Sequence, residues 1–256
     1  MKSIKFTFQL KKKIFLVYFA VELIAVVAWI AWVITRMYMQ KTLEEKKHEI
    51  DRIYEQVRLG NETILTIART VDAKDENTSQ HSFRVSEYSV MIGKKLGYDD
   101  EQCENLRKSA LLHDIGKIGI PDSVLNKPGR LDDDEYEIMK SHVVRGGEIL
   151  KNFTFIPHVQ EGAMYHHERY DGKGYAYGLK GESIPEFARI IGVADAFDAM
   201  TANRVYRKKL DLEYVISELE RGRGTQFDPD MADIMLGLIA DGEINAEELY
   251  REEPDE

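Results

Sequence analysis

The stretch His-Asp-Ile-Gly-Lys-Ile-Gly-Ile-Pro-Asp, residues 113–122, contains the adjacent pair His113-Asp114. It follows the apolar run 110–112 at the end of a predicted helix, so both side chains are expected to point at or near the core. A buried carboxylate without a partner is very costly. A metal ion removes that cost, and an adjacent histidine and aspartate can serve two neighbouring ions.

Other imidazole and carboxylate groups occur in comparable positions. His142 lies on the inner face of a predicted helix, and Asp195 lies on a helix whose other inward positions are apolar. The pair His166-His167 closes a further apolar stretch. Seven such groups are too many for one ion and suit two ions that share a bridge, an arrangement that cuts phosphate esters with water. The predicted ligands are His81, His113, Asp114, His142, His166, His167 and Asp195.

The pattern from residue 72 to about 244 is helical throughout, without alternating strand runs or Asn-Gly hairpins. Tyr98-Asp99-Asp100 offers the start of one helix. Asp132, followed three residues later by Glu135, has the pattern of a capping box at the start of another. An all-α fold is therefore expected.

The charge of the chain is uneven. Its net charge is −10, and residues 1–41 carry seven basic side chains against Glu22 alone, or +6, which leaves −16 for the remainder (−10 − 6). An acidic domain argues against nucleic-acid binding, which needs a basic face. The single cysteine excludes an intramolecular disulfide and fits a reducing compartment.

Residues 14–35 form an apolar run that only Glu22 interrupts. At ~1.5 Å per residue it would span ~33 Å, enough to cross a bilayer core. Trp29 and Trp32 lie toward one end, where aromatic rings prefer the interface. No small-residue cleavage site is evident. We predict a single retained transmembrane helix after a basic segment, 1–13.

The segment 36–71 is predicted to be a helical linker, and an acidic tail, 245–256, ends the chain. Apolar residues of the linker recur mostly every three, four or seven positions. This stripe fits a short parallel coiled coil that would hold a homodimer through residues 40–71. It fits equally a helix packed on its own domain. The residues are Leu43, Ile50, Ile53, Val57, Ile64, Ile67 and Val71.

Residues 113–122 also resemble the signature of the HD-GYP subclass of the HD phosphohydrolase superfamily. Residues 166–175, His-His-Glu-Arg-Tyr-Asp-Gly-Lys-Gly-Tyr, resemble its second signature. The resemblance covers roughly 72–240 and implies an HD-domain helical bundle over 72–244. It implies the same seven metal ligands, two or three divalent ions that are often iron or manganese, and hydrolysis of cyclic di-GMP by a metal-activated water. It extends through 184–185, 188–190, 195–201, 204–207 and 224–229.

The resemblance also implies roles for individual residues. Lys117 would act in catalysis or contact the phosphate, and Asp114, with two ligating oxygens, would bridge the ions. Arg204 and Arg207 would contact the substrate phosphate; the alternative is a solvated basic helix end. Asp198 is expected to orient a ligand or Lys117.

Two positions depart from the family pattern. Ala176 stands where the family motif has proline, a position linked to protein contacts. The loop Gly172–Gly178 is therefore a candidate surface for a diguanylate cyclase-type partner. Asn77 stands where members with three metals carry glutamate, and an amide is a poorer ligand. Two metals are therefore expected, with a third doubtful.

These observations predict a membrane-anchored cyclic di-GMP phosphodiesterase. The alternatives are a phosphodiesterase for another cyclic dinucleotide and a non-catalytic messenger sensor or docking module. Retention of all seven ligands and Lys117 favours an enzyme. Because the messenger is cytoplasmic, residues 36–256 are expected on the cytoplasmic side of the cell membrane, although lysines flank both sides of the span.

Overall fold

The computed structural model describes residues 2–75, 80–202 and 210–244. These residues form helices and loops, and no strand occurs among them, which confirms the all-α class. Short 3₁₀ helices cover Ile115–Gly119 and Gly181–Ser183. The α-helices are α1 (Lys2–Lys74), α2 (His81–Lys95), α3 (Asp100–Leu111), α4 (Asp122–Leu125), α5 (Asp133–Leu150), α6 (Val159–Tyr165), α7 (Glu186–Thr201), α8 (Leu212–Gly222) and α9 (Pro229–Ala240).

The chain divides into two compact units, residues 1–60 and 61–256. The first unit is the larger part of α1, and its apolar side chains, such as Phe15, Ile24 and Trp29, are exposed. Within the described ranges, α1 is the one helix that is long and apolar enough to cross a membrane. Length and composition alone support that statement.

The second unit is built around a central apolar cluster. Val85 and Tyr88 of α2 meet Ala194 and Phe197 of α7, and Met235 of α9 closes the cluster. The rings of Tyr88 and Phe197 meet edge to face, with centroids 5.0 Å apart. Because α2 and α7 form this core, their polar faces are fixed relative to each other.

A second cluster holds the end of α1. Ile64, Ala68 and Val71 are buried against apolar residues from the ends of α3 and α5 and from α6. This part of the linker stripe packs on its own domain. Leu43 and Ile50 remain exposed, so the homodimer through residues 40–71 and the domain boundary at 72 stay predictions.

The local signals at the helix starts are confirmed. Asp99 and Asp132 each cap a helix, and the reciprocal bonds of the capping box are present at both. A close backbone approach then brings the first 3₁₀ helix onto α5. A Cβ atom on Gly116 would lie 1.9 Å from the carbonyl oxygen of His142 and 2.5 Å from the backbone nitrogen of Gly146. This contact sets the segment 113–117 beside His142.

Candidate metal centre

The seven predicted ligands come from five segments of the second unit and meet around one carboxylate. His81, Asp114, His142, His167 and Asp195 line a cavity of about 340 Å³ together with Lys117. His113 and His166 are buried, and each has its Nε2 atom within 4 Å of Asp114, at 3.3 and 3.8 Å. The structure therefore brings together all seven residues.

Asp114 lies between two groups of histidines. Its Oδ1 atom is 3.4 Å from His142 Nε2 and 3.8 Å from His166 Nε2. Its Oδ2 atom is 3.3 Å from His113 Nε2 and 3.8 Å from His81 Nε2. Each oxygen thus belongs to a separate set of donor atoms, and Asp114 is the member that the two sets share. This geometry suits a carboxylate that bridges two cations.

Hydrogen bonds orient three of the rings. The Nδ1 atoms of His113, His142 and His166 each bond a backbone carbonyl three or four residues earlier, at 2.7, 2.8 and 3.0 Å. Nδ1 is then the protonated nitrogen, and the lone pair of Nε2 points inward. Those Nε2 atoms and Asp114 Oδ1 are buried and have no hydrogen-bond partner among the described residues. Buried nitrogen and oxygen donors of this kind fit divalent cations.

His81 is held from behind by a carboxylate. Its Nδ1 atom is 2.7 Å from Asp198 Oδ2, and its Nε2 atom is 3.3 Å from Asp195 Oδ1. Asp198 also accepts from Arg84, at 2.7 Å from Nε and 3.0 Å from Nη2. Asp198 therefore orients His81, one of the predicted ligands. Arg84 is buried in this contact.

The electrostatic environment keeps the carboxylates ionised. Burial raises the pKa of Asp114, but the charges of Lys117 and His113 outweigh it and hold that pKa well below its usual range. Burial lowers the pKa of His81, but Asp195 and Asp198 outweigh it and raise that pKa to about 10. The carboxylates around His81 therefore attract a cation, either a proton or a metal ion.

The other side of the site favours neutral imidazoles. Burial is the largest cause that lowers the pKa of His142, of His166 and of His167, the last to about 4. A neutral imidazole is the form that binds a metal ion. The protonation states on this side of the site therefore match the proposed ligand set.

Lys117 lies at the edge of the cluster with two carboxylate partners. Its Nζ atom is 2.7 Å from Asp114 Oδ2 and 3.0 Å from Asp75 Oδ2. Burial opposes the charge of Lys117, but these carboxylates outweigh it and raise its pKa. Asp75 was not among the site residues predicted from the sequence. An acidic residue that ends the apolar stripe of α1 was the available signal.

The loop Gly172–Gly178 packs against the metal centre. The ring of Tyr175 stacks on that of His167, with centroids 4.9 Å apart. Glu168 Oε1 accepts from the backbone nitrogens of Tyr177 and Gly178, at 2.7 and 3.1 Å. The loop is thus hydrogen-bonded to Glu168, in the segment that carries His167. A cyclase-type partner at this loop stays a prediction.

Three predicted residues, Asn77, Arg204 and Arg207, lie outside the described residues.

A second cavity of about 330 Å³ shares His167, Tyr175 and Asp195 with the first. Arg169, Lys173 and Gln226 are among its polar lining residues. Cationic and amide groups therefore stand close to the metal centre within the described part of the chain.

Comparison with known proteins identifies the class. The model of the HD-domain family matches residues 66–231, more than half of the chain, so the chain belongs to the HD-domain family. Its two signature segments place it in the HD-GYP subclass, with Ala176 in place of the last residue of that motif.

Two relatives and one solved structure illustrate the similarity. The cyclic di-GMP phosphodiesterase response regulator RpfG of Xanthomonas campestris is 38% identical over 77% of this chain and 53% of its own. The 3'3'-cGAMP-specific phosphodiesterase 2 of Vibrio cholerae is 34% identical over 77% of this chain and 40% of its own. The chain therefore spans about half the length of these relatives, or less.

The solved structure supports the fold alone. It is a cyclic GMP-AMP-specific phosphodiesterase of Vibrio cholerae, with a TM-score of 0.55 and 20% identity. The match covers 70% of this chain and 49% of that one.

Proposed function

We propose that the second unit is a metal-dependent phosphodiesterase that opens cyclic dinucleotides, with cyclic di-GMP as the substrate. The observation that carries the proposal is the position of Asp114, whose two oxygens face separate groups of histidines. Two divalent cations, iron or manganese, would be held by His81, His113 and Asp195 on one side and by His142, His166 and His167 on the other, with Asp114 between them.

Different residues of the chain would have different roles in hydrolysis. Bound cations would supply a nucleophilic water at neutral pH and charge that offsets the phosphate. Asp114 and the histidines would hold these cations at one place in the cavity. Lys117, which is charged and 2.7 Å from Asp114, would offset the negative charge that develops on the phosphoryl oxygens. Asp198 would hold His81 in its ligating orientation.

The choice of cyclic di-GMP is supported by the names of several relatives, whereas others are named for 3'3'-cGAMP. Both molecules have two phosphodiester bonds, so the metal centre does not distinguish between them. The nucleobases of the substrate must be recognised by other residues around the two adjoining cavities. A cyclic GMP-AMP phosphodiesterase therefore remains the alternative with the same chemistry.

Turnover by the purified full-length chain, metallated without oxygen and tested on a panel of cyclic dinucleotides, checks the proposal. We expect release of linear dinucleotide or mononucleotide, fastest from cyclic di-GMP. His113→Ala removes one ligand and is expected to lose this activity. Turnover no faster than that of His113→Ala with every panel member would favour a messenger-binding module without catalysis. Fastest turnover of 3'3'-cGAMP would replace the substrate and leave the reaction class intact.

We further propose that residues 14–35 anchor the chain in the cell membrane with residues 36–256 in the cytoplasm. The support is the length and apolar composition of α1 and the exposure of its side chains. We expect the chain to resist alkaline extraction from membranes. A fluorescent protein fused to its C-terminus should be bright, and a phosphatase active only outside the cytoplasm should be inactive there. The opposite pair of results would reverse the orientation.

A further inference from the structure

Residues 72–75, which are the end of α1 and the residue after it, form hydrogen bonds with two segments of the metal centre. Asp72 accepts hydrogen bonds from Ser82, at 3.1 Å from its backbone nitrogen and 2.6 Å from Oγ. Ser82 directly follows His81. Asp75 accepts from Lys117 Nζ at 3.0 Å. This segment therefore contacts both the His81 segment and the 3₁₀ helix that carries Lys117.

Lys74, between these two aspartates, binds the backbone of the same 3₁₀ helix. Its Nζ atom donates to the carbonyl oxygens of Lys117 and Ile118, at 3.1 and 3.2 Å, and also to that of Ile120. These carbonyls lie at the C-terminal end of the 3₁₀ helix, where a positive charge is favourable. The Lys74 side chain is 25% exposed; its bonds to Lys117 and Ile120 are partly buried, and its bond to Ile118 is exposed.

Lys74 and Lys117 each form a hydrogen bond with the segment that carries the other. The side chain of Lys74 binds the backbone of Lys117, and the side chain of Lys117 binds Asp75, the neighbour of Lys74. The backbone carbonyl of Lys74 also accepts from Asn126 Nδ2 at 3.0 Å. Unlike Asp75 and Lys117, Lys74 is not among the residues that line the metal cavity. Any effect of Lys74 on the reaction must therefore pass through the segment that it binds.

We propose that Lys74 is a positioning residue for catalysis, which fixes the 3₁₀ helix so that the Lys117 ammonium group stays at Asp114. The inference rests on the proposed phosphodiesterase activity. A lysine side chain is a flexible stem with a point charge at its end, so its location depends on where its backbone is held. A shift of about 1 Å in a catalytic group can lower the rate by about 100-fold.

Lys74→Met tests this role, because it keeps an unbranched side chain and removes the donor. We expect kcat to fall by at least about 10-fold, within the range for a misplaced group. KM and metal content should change little, since Lys74 contacts neither ligands nor substrate, and the melting temperature should fall modestly because three hydrogen bonds are lost. Lys74→Arg retains a charged donor and should recover part of kcat. Asp122→Asn removes the remaining ion-pair partner of Lys74, at 3.4 Å, and should stay close to wild type.

Unchanged kcat in Lys74→Met would overturn the proposal. So would a loss of kcat that only follows a loss of bound metal or of folded protein. Hydrogen exchange provides a readout that does not depend on turnover. Amides in residues 115–120 should exchange faster in Lys74→Met than in wild type or in Lys151→Met, a control that removes an exposed lysine on the same protein.

The two proposals can fail separately. If the wild-type chain turns over no cyclic dinucleotide, the proposed activity fails, and faster exchange at 115–120 in Lys74→Met would still show that Lys74 holds this segment. If wild type is active and Lys74→Met exchanges and turns over as wild type does, the positioning role alone is wrong.

Discussion

Asp114→Asn is expected to lose almost all phosphodiesterase activity and at least one of the two bound metal ions. Asparagine keeps the shape of the side chain but replaces one anionic oxygen with an amide nitrogen that cannot ligate a cation. In the wild type, each oxygen faces a different set of histidines, at 3.3–3.8 Å. The change therefore breaks the group that the two sets share. Changes to residues that orient metal ligands lower metal affinity or activity by about 10- to 100-fold, and loss of a bridging ligand should lower them further.

Metal analysis and turnover on the same preparation check this expectation. Asp100→Asn, which changes an exposed aspartate at the start of α3, is the matched control and should keep metal and activity. If Asp114→Asn retained both ions and turned over substrate within about tenfold of wild type, below the usual effect of a lost ligand contact, Asp114 would not be the bridge. The proposed arrangement of the ions would then have to be abandoned.

Gly116→Ala is expected to destabilise the second unit and to lower activity at the same time. The added methyl group would lie 1.9 Å from the carbonyl oxygen of His142 and 2.5 Å from the backbone nitrogen of Gly146. Both are backbone atoms of α5, so no side chain can rotate away. The 3₁₀ helix and α5 would have to separate, which would move Lys117 away from His142. Forced overpacking costs about 1–3 kcal/mol and sometimes more.

Thermal unfolding measures the first effect. A loss of about 2 kcal/mol lowers the melting temperature of a domain of this size by roughly 4–8 °C. Gly237→Ala is the control, because a Cβ atom there meets nothing within 4 Å on helix α9. It should leave the melting temperature unchanged or raise it, since alanine suits a helix better than glycine. A Gly116→Ala chain as stable and active as wild type would mean that α5 and the 3₁₀ helix are not in close contact.

The sequence predicted the all-α class and the helix starts because these depend on neighbouring residues. Asp99 and Asp132 bond backbone atoms three positions away, so their roles are readable from local spacing. The candidate ligands were readable for a different reason. Histidines and aspartates at the inner ends of apolar helices have few other ways to be buried at acceptable cost.

The partners of those residues were less predictable. Asp198 was expected to orient a ligand or Lys117 without a particular ligand being named; the structure pairs it with the predicted ligand His81 and also with Arg84. The sequence also did not indicate that Tyr175 stacks on His167. In each case the deciding contact comes from how one element packs on another, which residue type and spacing do not encode.

The amino-acid sequence by itself determined which segments are helical, which side chains suit metal ions, and that one segment is apolar enough for a membrane. Only the tertiary structure decided that Asp114 faces two sets of histidines and that Lys74 and Asp75 hold the segment of Lys117. Local structure follows from hydrogen bonds and apolar periodicity within a few residues. The contact between Asp75 and Lys117 joins residues 42 positions apart, and its geometry exists only after the helices have packed.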